Sequence, residues 1–73
     1  MSDLSIRLKE LRKAKKLKQT DMANLLNITS RNYQEYEYGK VTPLLPAIIF
    51  LADYFDVSLD YLTGRSDNPK INE

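Results

Sequence analysis

Apolar residues recur along this chain at intervals of three and four in short blocks, each closed by a small or polar residue, a pattern of several short helices sharing one core. Leu4, Leu8 and Leu11 lie on one helical face and predict a first helix beginning near Asp3, with Ser2 or Asp3 as its cap. Arg7, Lys9, Lys13 and Lys16 fall away from that face, and Leu17 starts the packing of the next element. Met22, Ala23 and Leu26 mark a second helix opening at Gln19, and Tyr33 and Tyr36 mark a third, from Ser30 to about Tyr36. Between these two, Asn27 suits a tight corner, because its short amide makes left-handed backbone cheaper than for most residues other than Gly. Ile28 can then pack inward, and Thr29 offers a hydroxyl to the orphan backbone donors of the third helix.

Thr42 and Pro43 open a connection to LLPAIIFLADYFDV, a fourth helix with Ile48, Leu51, Ala52 and Phe55 facing inward. The residue before a proline avoids helical angles, so this helix is predicted to start at Pro46 with Leu45 outside it. Phe50 either folds back on the core, the preferred reading, or faces a partner. In VSLDYLTG, Ser58 is a cap, Leu59 and Leu62 stand one turn apart and Gly64 is a stop, which predicts a short fifth helix. RSDNPKINE has no apolar pair to hold it down, so residues 65–73 are expected to form a flexible tail on a domain of residues 1–64.

Gln19, Met22-Ala23, Asn27, Ile28, Thr29 and Glu37-Tyr38-Gly39 stand in the order and register of a known motif. By these residues the chain resembles the Cro/C1-type helix-turn-helix regulators, the phage-repressor family. The resemblance implies an all-α, compact five-helix lambda-repressor-like DNA-binding domain with a central helix-turn-helix. It also implies a sequence-specific transcriptional regulator, a repressor acting as a dimer on a palindromic operator in double-stranded DNA. Two positions depart from the family pattern: Lys18 replaces the usual Ser or Thr, and Asn27 the usual Gly. Each departure costs about 1 kcal/mol, which a tertiary core absorbs. Arg12, beside Leu8 and Leu11 at the margin of the core, is paired by the resemblance with Glu37 in a structural salt bridge. A partly buried charge needs its counterpart.

Composition narrows the chemistry. A chain of 73 residues supports one core. It has neither Cys nor His, which removes disulfides, thiolate metal sites, the usual zinc ligands and the commonest general base. Nor is there a nucleophile–base pair or a phosphate-cradling Gly-rich loop, so no enzyme and no cofactor are expected. No apolar run reaches the length of a membrane span and the start lacks a signal-peptide core, so a cytoplasmic location is expected. With no room for a self-cleaving or ligand-binding domain, regulation is expected from a partner or from dilution. The net charge of +1 conceals a division: residues 1–40 hold nine Lys or Arg against five acids, and residues 41–73 hold two against five. Lys13, Lys15, Lys16 and Lys18 alone would be an ordinary solvated helix end. Beside a helix-turn-helix they supply the sequence-independent attraction to phosphate.

With Tyr33 and Tyr36 turned inward, Ser30, Arg31 and Glu35 share the exposed side of the third helix. They match positions from which the resembling repressors touch bases. Arg31 can donate two bonds to guanine, Glu35 can accept from cytosine or instead neutralise Arg31, and Ser30 serves either role. Gln34 and Asn32 are second choices. Gln19, Lys18, Lys40 and Tyr38 are expected at phosphates, Gln19 because it stands at a helix start. A weak homodimer is expected through Tyr61, Leu62 and Phe50. A competing reading is a protein-interaction module, such as an antitoxin with autoregulatory DNA binding, that meets its protein partner through Leu44, Leu45 and Phe50.

Overall fold

The computed structural model of the chain describes residues 3–70. It contains α1 (Asp3–Ala14), α2 (Gln19–Leu26), α3 (Ser30–Tyr38), α4 (Leu45–Phe55) and α5 (Leu59–Leu62), and no strand among the described residues. The fold is the all-α, five-helix arrangement that the periodicity and the resemblance predict, with α2 and α3 as the helix-turn-helix.

One core takes side chains from every helix. Leu4 and Leu8 come from α1, Met22 and Ala23 from α2, Tyr33 from α3, Leu51, Ala52 and Phe55 from α4, and Leu62 from α5. Val57 enters from the α4–α5 connection. Each large side chain so buried contributes roughly 1.5–3 kcal/mol, which is what holds together helices too short to persist alone. α2 packs on α3, α1 on α3 and α5, and α4 on α5.

All five helices end in the same way. A residue in left-handed backbone follows each: Lys16 (φ 58°), Asn27 (φ 58°), Gly39 (φ 79°), Asp56 (φ 56°) and Gly64 (φ 85°). The N–H of the residue after it then reaches back five positions, from Leu17 to Arg12 at 3.1 Å, Ile28 to Ala23 at 2.9 Å, Lys40 to Glu35 at 3.0 Å, Val57 to Ala52 at 2.9 Å and Arg65 to Asp60 at 2.7 Å. This double-bonded closure satisfies carbonyls that would otherwise be orphaned. At Leu17, Ile28 and Val57 the reaching residue also packs on the core, so ending the helix and filling the core are one event. Asn27 and Gly64 can be read as stops in the sequence. Lys16 and Asp56 cannot, and each adopts its angle against a cost of about 1 kcal/mol.

Two boundaries differ from expectation. α3 continues through Tyr38, two residues past Tyr36, because Gly39 rather than an earlier residue takes the left-handed cap. α4 begins at Leu45, not Pro46: the Leu44 carbonyl accepts from the N–H groups of Ala47 (2.9 Å) and Ile48 (3.0 Å), so Pro46 sits in the first turn, where a missing N–H costs nothing. Asp3 is the first helical residue of α1, and the alternative cap Ser2 lies outside the described residues.

The segment after Gly64, expected to be a flexible tail, makes specific bonds as far as Lys70; residues 71–73 lie outside the described residues. Arg7, which falls away from the apolar face of α1, is the reason. Its guanidinium lies 4.1 Å from the centre of the Tyr61 ring. It donates to the carbonyls of Tyr61 (2.9 Å) and Ser66 (3.1 Å) and to Asp67 Oδ1 (2.7 Å). Pro69 closes the loop by accepting the Ser58 N–H at 2.9 Å, at the opposite end of α5. A one-turn helix is thereby held at both ends by a strap and a clasp. Arg7→Ala is expected to cost roughly 1.5–3 kcal/mol, the value of a charged donor lost from part-buried carbonyls. Native-state hydrogen exchange should show the amides of Ser58, Arg65 and Ser66 losing protection while those of α2 and α3 keep theirs.

Candidate nucleic-acid interface

The outer strip of α3 follows from what its inner side must bury. Tyr33 and Glu37 are inside, which turns Ser30, Arg31, Gln34, Glu35 and Tyr38 outward at helical spacing. Arg31 and Asn32 are exposed, Ser30, Gln34 and Glu35 are half-buried, and Tyr38 is 63% exposed at the last turn. Thr29 caps the helix as expected, its hydroxyl accepting the Asn32 N–H at 3.1 Å. Arg31 and Glu35 stand four apart, yet the ion pairs among the described residues are Arg7–Asp67 and Arg12–Glu37. Arg31 and Glu35 are not joined in an ion pair among the described residues.

Behind this strip lies a polar cluster drawn from three helices. Arg12 of α1 donates through Nε to Glu37 Oε2 at 2.6 Å and through Nη2 to Oε1 at 3.1 Å, a two-pronged contact. Its Nη1 holds the Leu17 carbonyl at 2.8 Å, fixing the turn into α2. Gln19 of α2 adds a bond from Nε2 to Glu37 Oε1 at 3.1 Å. The side chains of Arg12 and Glu37 are 11% and 2% exposed. Burial alone would raise the Glu37 pKa, but hydrogen bonds from Arg12 and Gln19, the neighbouring Tyr33 hydroxyl and the Arg12 charge outweigh it and hold the carboxyl below its ordinary 4.5. The bond to Glu37 raises the Arg12 pKa against the opposing effect of burial. Burial first, and the neighbouring carboxylate second, push the Tyr33 hydroxyl upward, so it stays a neutral phenol. That hydroxyl is coupled to Glu37 without meeting the geometry of a full hydrogen bond.

The expected phosphate contacts divide. Lys18 and Lys40 are exposed at the start of α2 and just past α3. The Lys40 N–H is used in closing α3, leaving its ammonium free. Asp21 accepts the Lys18 N–H at 2.9 Å, one half of a capping box; an ammonium has no lone pair for the other half. Gln19 has one amide hydrogen committed to Glu37, so it is first a brace for α3 and has only the rest of its amide to offer an anion. The Gln19–Glu37 bond was not legible in the sequence, whereas Asp21, three residues past the cap, carried a spacing signal that could have been read.

The expected self-contact residues also separate. Leu62 is fully buried in its own core and presents no surface to a partner, a correction to the expectation. α5 turns Leu62 inward and leaves Leu59 outside. Tyr61 is half-buried beneath Arg7. Phe50 does not fold into the core: it stacks on Tyr54 with ring centres 6.2 Å apart and stays 40% exposed. Leu44, at 79%, and Leu45 are more exposed still.

A helix-turn-helix family model matches residues 8–62. The uncharacterized HTH-type transcriptional regulator YobD of Bacillus subtilis is 40% identical over 63 residues, covering 86% of this chain and 56% of that protein. The HTH-type transcriptional regulator ImmR of the same organism is 36% identical over 70 residues, 96% of this chain and 55% of the relative. The cryptic phage CTXphi transcriptional repressor RstR of Vibrio cholerae is 36% identical over 59 residues, 81% and 53% of the two chains. The chain spans about half the length of the curated relatives it matches.

The Glu37 cluster predicts a pH dependence. A depressed folded-state pKa contributes stability that is present above the ordinary 4.5 and is lost as pH falls through the folded value. Stability measured by urea unfolding should therefore decline below pH 4.5, and Glu37→Gln should lack that part of the decline. At neutral pH, Arg12→Ala is expected to cost about 3 kcal/mol, because it strands a buried carboxylate. Thermal melts check it: a melting point within about a degree of the parent contradicts the structural role.

Proposed function

The chain belongs to the Cro/C1-type helix-turn-helix family, and on that footing we propose that it is a sequence-specific transcriptional repressor that reads a palindromic operator in duplex DNA as a symmetric dimer. The observation that carries this reading is the exposed strip of α3, with an unpaired Arg31 beside Ser30, Gln34 and Glu35, on a helix whose back is fixed by Glu37. Fixed backing lets a reading helix discriminate, since bidentate contacts tolerate little displacement. Arg31 donates to the O6 and N7 of guanine, Glu35 accepts from the N4 of cytosine, and Ser30, Gln34 and Asn32 complete the set. The ammonium groups of Lys18 and Lys40, the free part of Gln19 and the Tyr38 hydroxyl approach phosphates on either side. Relatives named as a regulator and a repressor support this role over a catalytic one.

The dimer follows from what one α3 can cover. It spans a half-site, and two half-sites about one turn apart, ~34 Å, are read together by a two-fold pair. Phe50, Leu44 and Leu45 are exposed apolar residues fit for that contact. Selection of bound sequences from a random DNA pool, followed by titration at several salt concentrations, tests the assignment. Arg31→Ala should lose about 1–3 kcal/mol on the best site and relax one base position, while Lys40→Ala weakens all sequences alike and lowers the salt slope by about one. An unchanged selected motif with Arg31→Ala overturns the reading residues. One monomer per operator at saturation, measured by sedimentation, overturns the dimer.

A further inference from the structure

A second surface differs from the reading strip in charge and in chemistry. Between α4 and α5 runs an open groove of about 350 Å³ whose walls are Ile49, Ala52, Val57 and Leu59, with Asp53 and Asp60 along its edges. Ala52 and Val57 are buried and form the floor, whereas Ile49 and Leu59 are more than two-fifths exposed and form apolar rims. Both carboxylates are on exposed residues and neither has an ion-pair partner among the described residues. From Val41 to Gly64 the chain has no Lys or Arg. The last turn of α4 carries no basic residue of its own, and the one cation against it among the described residues, the Lys15 ammonium, lies over the Tyr54 ring at 5.4 Å.

We infer that this groove docks a basic amphipathic segment of a partner protein, an aliphatic ridge flanked by Lys or Arg. The floor supplies the apolar contact, and the two aspartates supply the complementary charge. Other occupants fit less well. Phosphate backbones and anionic lipid surfaces are repelled by Asp53 and Asp60. A second copy placed here about a two-fold axis would bring four carboxylates together with no cation from α4 or α5 between them, a like-charge juxtaposition that costs binding energy. The inference is independent of the DNA reading, because none of these residues lies on α3 or at the start of α2.

The test uses the whole chain and a fluorescent helical peptide of about 14 residues, roughly four turns, with Leu along one face and Lys on both flanks. A control peptide carries Glu in place of every Lys. Saturable one-to-one binding of the Lys peptide is expected, with none for the Glu peptide and weakening as salt is raised. The double variant Asp53→Lys with Asp60→Lys should weaken binding by about tenfold or more, and Leu59→Lys should weaken it as well, with the fold of each checked by circular dichroism. Amide chemical-shift changes should centre on Ile49, Val57 and Leu59. No saturable binding, equal binding by the charge-reversed chain, or shifts centred on α3 overturns the proposal. So does a concentration-dependent dimer that Leu59→Lys abolishes, since it would assign the groove to a second copy.

Discussion

The carboxylate of Glu37 is the constraint on which the helix-turn-helix end of the molecule depends. A charge this deeply buried is tolerated only when its lone pairs are occupied, and here the donors come from different helices. Arg12 brings the end of α1 and, through the Leu17 carbonyl, the entry to α2; Gln19 brings the first turn of α2; Glu37 itself belongs to α3. Apolar packing is non-directional and would accept small rotations of α3 against its neighbours. A two-pronged guanidinium–carboxylate contact accepts far fewer. The core thus holds the helices together, and the polar cluster sets the angle at which the outer strip of α3 is presented.

That presentation rests on economical helix termination. Short helices leave a large share of their backbone groups unsatisfied, and a five-helix chain of this size multiplies the problem. The repeated left-handed closure solves it locally, and at Leu17, Ile28 and Val57 it also returns an aliphatic side chain to the core. Lys40 breaks the pattern in an informative way: the same closure after α3 ends in an exposed cation instead of a core residue. The geometry that fills the interior at Leu17, Ile28 and Val57 here places a positive charge beside the outer strip of α3, and after α5 it ends in exposed Arg65. Nine of the eleven Lys and Arg lie in residues 1–40, whereas residues 41–64 hold three Asp and no Lys or Arg, so the charge is unevenly divided along the chain despite a net +1.

The residue pattern by itself determined the number and order of the helices, the corner at Asn27, the caps at Thr29 and Ser58 and the burial of Leu8, Met22, Tyr33 and Leu51, because these depend on local backbone preference and on which side of its own helix a residue occupies. The motif residues further indicated the Arg12–Glu37 pair. What only the tertiary structure decided lies at the flanks of helices, where burial depends on how a neighbour crosses. Leu62 went inside while Leu59 stayed out, and Phe50 found Tyr54 rather than the core. Gln19 braces Glu37 with one amide hydrogen, and Arg7, off the apolar face of its own helix, clasps residues 65–69. Each of these links residues on separate elements, and Arg7 reaches 60 positions along the chain to Asp67. Periodicity places a side chain on its own helix, but a partner so remote in sequence is fixed only when the packed core brings the two elements together.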